Sequence, residues 1–140
     1  MVHIGGARMI EAGKEIEEKV FWIDRALLLK YADASGDQNP IHQDEEFARS
    51  VGLPNVIAHG MLTMALVGKF VSDFAGGPGC VKEFSARFIK PVFVPFNQKV
   101  DLTVTGLVTE AVDGNIRLNL TATSDGVKVL GLAKALVTLA

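Results

Sequence analysis

Cysteine is almost missing from this chain: Cys80 is the one thiol in 140 residues. A lone thiol excludes an internal disulfide framework and cannot supply a cysteine-based zinc site. It suits a reducing cytoplasm. An excess of charge of either sign is missing too. The 14 Lys+Arg stand against 16 Asp+Glu, a formal charge of −2, and no basic block stands out, which argues against nucleic acid as a partner. Long apolar runs are absent. The most apolar stretch, 57–75, is interrupted by His59, Lys69 and Asp73, so nothing reaches the roughly 18 residues of a membrane span. The opening MVHIGGARMIEAGKE has no apolar core and does not read as a secretory signal. His3 falls in this segment and is expected to fray. There is no P-loop, Ser35 has no GxSxG context, and the GGPG of 76–79 follows a helical pattern rather than opening one. With three histidines and one cysteine, no metal site is expected, and no redox cofactor. Linkers, low-complexity tracts and repeats are also absent, so 1–140 reads as one domain.

Half of the chain is hydrophobic, 49%, and its patterning changes along the sequence. Residues 15–23 look extended, ending on Val20, Phe21, Trp22 and Ile23. Asp24 can cap a following helix in which Leu28, Tyr31 and Ala32 share a face. Gly36 and Pro40 make 36–42 irregular, Pro40 restricting Asn39 as well as itself. A short helix over 44–50 stops at Gly52. The longest helical pattern, 60–75, is apolar around most of its wheel and is predicted to be buried nearly all round, with only Lys69, Ser72 and Asp73 marking a wet side; Gly76 and Gly77 end it. Beyond it, 81–89, 100–108 and 116–122 alternate apolar and polar residues, with Asp113-Gly114 and Asp125-Gly126 as hairpin turns. Cys80 is read as a small hydrophobe entering the first of these strands. Residues 127–139 alternate less and read as a strand covered on both faces. One long helix and about five mostly antiparallel strands make an α+β layer arrangement. A sheet curved around the helix is the economical packing. Its open edges argue for pairing with a second subunit.

Two segments can carry chemistry. The first, YADASGDQNPIH over 31–42, brings Asp37, Asn39 and His42 into one constrained loop. An ionised carboxylate and an imidazole that titrates near neutrality suit general acid–base work; bracing of the loop is the alternative reading. The second, IAHGML over 57–62, lies where the long helix begins. A helix N-terminus offers free N–H groups and a partial positive charge. Gly60 there would admit a ligand atom close to the backbone, which makes a candidate oxyanion donor. A plain glycine-initiated helix is the alternative. His59 orients the loop or contacts the substrate. Met61 is a core residue that also suits a pocket for a flexible chain.

Taken together, SGDQNPIH, the later GLPNVIAHGMLTM and then FSARFIKPVFVP resemble the MaoC-like, or hydratase-2, family. The match is strong over 31–95, and the wording is especially near that of (3R)-hydroxyacyl-ACP dehydratase subunits of the HadB type. The resemblance implies a hot-dog fold, an antiparallel sheet wrapped around a long central helix, acting as a homodimer or as a heterodimer with a related subunit. It implies an (R)-specific enoyl-thioester hydratase or (3R)-hydroxyacyl-thioester dehydratase acting on acyl-CoA or acyl-ACP, without cofactor. It assigns Asp37 and His42 as the catalytic dyad and the Gly60 N–H as the oxyanion donor. Asn39, His59 and Met61 would contact the substrate or its water. After RFIKPV the single-domain hydratases usually turn on Gly-Asp, where this chain has Phe93-Val94-Pro95-Phe96-Asn97-Gln98. That difference bears on the acyl carrier, not on the dyad. A hot-dog thioesterase and a non-catalytic acyl-binding subunit are the competing functions; the Asp37–His42 loop argues against the first, and its retention beside Gly60 against the second.

Overall fold

A computed structural model describes residues 2–4 and 8–140, with side chains from Ile10 onward. A short hairpin, β1 (Val2–Ile4) with β2 (Arg8–Ile10), opens the chain. The frayed end expected around His3 is therefore backbone-paired, His3 opposite Met9.

Then come β3 (Glu15–Ile23), α1 (Arg25–Ser35) and α2 (Glu45–Ser50). Both helices start as their sequences dictate. The Asp24 carboxylate accepts the Leu27 N–H at 2.9 Å, and Asp44 accepts that of Phe47 at 3.1 Å. A 3₁₀ turn over Pro40–His42 gives the irregular loop between them its shape.

The long helix α3 covers Gly60–Ala75, the span its pattern predicts. Strands β4 (Val81–Phe88), β5 (Val100–Val112), β6 (Asn115–Ser124), β7 (Val127–Lys128) and β8 (Leu130–Thr138) complete the chain. The main sheet runs β3-β5-β6-β8-β4, antiparallel throughout, with β7 added beside β6. Its inner face, including Leu102, Val104, Val108, Leu118, Leu120, Ala122 and Ala135, forms one buried cluster with Leu62, Val67, Phe70 and Val71 of α3.

Two expectations need correction. The open side of α3 is wider than expected: beyond Lys69 and Asp73 it takes in Ala65 and Met61, which is 61% exposed, because the sheet wraps only part of the circumference. Residues 127–139 are not covered on both faces. Leu130, Ala133, Ala135 and Val137 are buried while Leu132 and Lys134 are exposed; the regular alternation is masked by a local irregularity at Leu132, whose φ is +49°. Cys80, the last residue of a 3₁₀ turn over Pro78–Cys80, leads into β4 and packs half-buried against the core, as expected of a small hydrophobe.

The position of α3 over the sheet depends on two glycines. A Cβ on Gly68 would sit 3.3 Å from the Phe84 ring, and one on Gly60 would sit 3.2 Å from the Phe88 ring. Both contacts are tighter than ordinary van der Waals approach. The missing side chains therefore let the edge strand β4 lay its aromatic rings against the helix. Phe88, at the end of β4, thereby comes to stand beside the first residue of α3.

The hairpin tip between β6 and β7 is held by Asp101 of β5. Its carboxylate accepts the Asp125 N–H at 2.9 Å and the Thr103 hydroxyl at 2.7 Å. The Asp125 N–H bond is the main cause holding this carboxyl below the usual carboxylate range, with Thr103 adding to it. A depressed folded-state value gives stability that is present above the ordinary value of about 3.9 and is lost as pH falls below it. Asp101→Asn should therefore cost about 1 kcal/mol in urea unfolding at pH 7. The gap between the two proteins should narrow as pH falls below about 3.9. A gap that stays constant across that range would mean the charge contributes nothing.

Candidate active site

The loop after α1 folds back on itself through its own polar groups. Gly36 ends the helix in the left-handed region, φ +80°, with its N–H on the Ala32 carbonyl. Asp37 then turns the chain: its carboxylate Oδ1 accepts the Asn39 N–H at 3.2 Å. The Asn39 side chain in turn accepts the Ile41 N–H at 3.2 Å and caps the 3₁₀ turn. Gln38 bridges to Asp33 at 3.0 Å and receives Gln43 at 2.7 Å. Oδ1 of Asp37 thus braces the loop, while Oδ2 faces His42.

His42 is buried, and its orientation determines its protonation pattern. Its Nδ1 lies 2.7 Å from the Ile57 carbonyl oxygen. A carbonyl can only accept, so Nδ1 carries the hydrogen, and in the neutral ring Nε2 carries the lone pair. Nε2 stands 3.9 Å from Asp37 Oδ2, whose side chain is 50% exposed. That spacing is too long for a direct hydrogen bond and matches two groups that share one water.

His59 and Gly60 approach from the start of α3. His59 is 1% exposed. Its Nε2–H donates to the Asp37 main-chain carbonyl at 3.1 Å, and its ring stacks on His42 at 3.9 Å between centroids and 22° between planes. Burial pushes the His59 imidazole below its usual range; the bond to the Asp37 carbonyl offsets this only in part. A folded state that resists protonation loses stability as pH falls below about 6.5, where the unfolded chain takes up the proton. Gly60 and Met61 supply the first N–H groups of α3, which by position have no intrahelical acceptor.

A cavity of about 310 Å³ opens against these groups. His42 and Gly60 stand at one part of its wall, and Ile57, Thr63, Phe88 and Val129 make much of the rest. His42 and Gly60 meet at the cavity wall; Asp37 is not part of that wall and stands 3.9 Å from His42 Nε2. Asn39 is brought in as a brace, not as a wall. Met61 is turned outward and does not line the cavity; about 100° of helical rotation per residue separates it from Gly60, so two adjacent residues cannot both face inward. Sequence reasoning missed Thr63, which is buried and lines the cavity. Three residues after Gly60, it returns to the same side of the helix, a spacing that could have found it. It also missed Phe88 as a wall residue.

Asp37, His42 and His59 offer ligand atoms within 4.8 Å of one another. Stacked imidazoles direct their in-plane lone pairs side by side, so an ion shared by both rings would lie far out of each ring plane. The stacking therefore argues against a metal role for this cluster.

A family model described as "MaoC like domain" matches residues 10–126. The chain belongs to this family. It is 43% identical over 76 residues to 3-hydroxyacyl-thioester dehydratase X of Mycobacterium tuberculosis, covering 54% of this chain and 26% of that protein. Among solved structures, a MaoC-like dehydratase superposes with a TM-score of 0.89 at 36% identity, covering 94% of this chain and 41% of that one. The (R)-hydratase from A. caviae involved in PHA biosynthesis gives 0.81 at 26% identity, covering 96% of this chain and all of that one. This MaoC-like chain spans well under two thirds of the curated relatives it matches, from 3% to 56% of their length. Its architecture is that of the hot-dog neighbours, a sheet curled around one long helix. No helix among the described residues is long and apolar enough to cross a membrane.

Proposed function

We propose that this protein adds water to trans-2-enoyl thioesters to give (R)-3-hydroxyacyl thioesters, and catalyses the reverse dehydration. The observation that carries this reading is the 3.9 Å spacing of Asp37 Oδ2 and His42 Nε2 beside the cavity that Gly60 also lines. In the hydration direction a water held between the two groups gives its proton to His42 Nε2. Its oxygen bonds to C3 of the enoyl chain as the C2–C3 double bond opens. The negative charge that develops on the thioester oxygen is met by the Gly60 N–H. The proton returns to C2, so the net change is the addition of one water. Ile57, Thr63, Phe88 and Val129 form the walls for the first carbons of the acyl chain. The names of the relatives, a dehydratase and an (R)-hydratase, support the same chemistry.

A thioesterase of this fold would be expected to use a carboxylate near the start of the helix. The first turn of α3 holds no acid, and Asp73 lies near its other end, 3.1 Å from Lys69. Thioester hydrolysis is therefore disfavoured.

We also propose that the protein works as a dimer, with its own kind or with a related hot-dog subunit, in a reducing, cytoplasmic setting. β3 and β4 are the sheet edges, and Phe88, Ile89, Leu132 and Met61 are exposed apolar side chains. Light scattering at micromolar concentration should give at least twice the 15.0 kDa of one chain. A fully active 15.0 kDa species would refute the dimer. Turnover of short- to long-chain enoyl-CoAs, followed by loss of the enoyl absorbance, tests the activity itself.

A further inference from the structure

His59 has no step in the chemistry above, yet it joins the three parts of the site. As the N-cap residue of α3 it immediately precedes Gly60. Its Nε2–H holds the Asp37 main chain, and its ring lies flat on His42. Tyr31 of α1 packs against it at 4.8 Å, tilted by 60°. It is not part of the cavity wall, so a direct substrate contact does not account for it. Simple packing does not account for it either. Its Nδ1 is buried without a partner among the described residues, a cost that a phenyl ring of similar shape would avoid. What the imidazole adds is an N–H for the Asp37 carbonyl together with a flat face for His42.

We propose that His59 is the positioning residue of the site: it keeps the Asp37 carboxylate opposite His42 Nε2 and ties both to the helix start that carries the Gly60 N–H. The titratable groups that face it are Asp37 and His42 on the loop and Tyr31 on α1. Burial lowers the proton affinity of its imidazole, which disfavours a second cation beside His42 when His42 takes up the proton of the water. The proposal rests on the dyad reading and adds a distinct claim to it.

Two substitutions separate its two contacts. His59→Phe keeps a flat ring and loses the N–H; His59→Gln keeps an N–H donor of similar reach. With a trans-2-enoyl-CoA, His59→Phe should lower kcat by about 10²-fold, the usual effect of a misplaced reacting group. KM should stay within about two-fold. His59→Gln should recover about ten-fold of the lost kcat. In the wild-type protein, ¹⁵N NMR should find His59 neutral as the Nε2–H tautomer at pH 7, a readout that holds even if a variant fails to fold. Wild-type kcat in His59→Phe, a loss confined to KM, no recovery in His59→Gln, or an Nδ1–H tautomer would each overturn the proposal. Asp37→Asn belongs in the same assay. If it too kept full activity, the dyad reading would have failed; if it alone lost activity, only the role of His59 would fall.

Discussion

Asp37→Asn and His42→Ala should each lower kcat/KM for enoyl-thioester hydration by about 10²-fold or more, the usual consequence of removing a positioned acid–base group. The two variants differ in their effect on the fold. Asp37 is half exposed, and Asn retains an oxygen to accept the Asn39 N–H, so thermal stability should hold. His42 is buried and satisfies the Ile57 carbonyl. Its truncation leaves that carbonyl unpaired and a void beside His59, at about 1–3 kcal/mol. Kinetics must therefore be read well below the melting temperature of the variant. The double variant should be far less impaired than the product of the singles, because both groups act on one water. Turnover near wild type in either single variant would contradict the mechanism.

Gly60→Val carries the second large effect. One oxyanion donor is worth about 2.7–4 kcal/mol in the transition state, and the loss should appear in kcat/KM. Met61→Leu next to it exchanges similar volumes on the open side of the helix and should be nearly silent. The physical reason differs from the one the sequence suggests. The space over the Gly60 Cα does not stand open for a ligand; the Phe88 ring occupies it, 3.2 Å from where a Cβ would lie. A side chain there would push Phe88 outward or tilt the first turn of α3, and either shift displaces the N–H from the thioester oxygen. Phe88→Ala in the Gly60→Ala background should therefore recover part of the activity by relieving the contact. Unchanged kcat/KM in Gly60→Val would show that the oxyanion is held elsewhere.

Much of this molecule is legible in its sequence. The bounds of α3, the cap at Asp24, the break at Gly36 and the alternation of β5 and β6 follow from local chemistry. Sequence spacing also brings Asp37 and His42 together, because a loop held by Gly36 and Pro40 has few ways to turn. What escapes is whatever depends on partners distant in the chain. The hydropathy of α3 gives no sign that the sheet would leave Met61 and Ala65 uncovered. The irregularity at Leu132 hides the alternation of β8. The stack of His59 on His42 depends on the helix start returning to the loop, a tertiary event that neither segment encodes alone. Phe88 reaches Gly60 only because β4 closes the sheet edge beside α3.

The most direct test of the proposed function is the fate of a trans-2-enoyl-CoA incubated with the purified protein, read by chiral analysis of the product alongside a free-thiol assay. The expected result is (R)-3-hydroxyacyl-CoA formed in step with loss of the enoyl absorbance, no thiol released, and both signals lost in Asp37→Asn. Free thiol appearing as the enoyl-CoA disappears, or a product of S configuration, would contradict it.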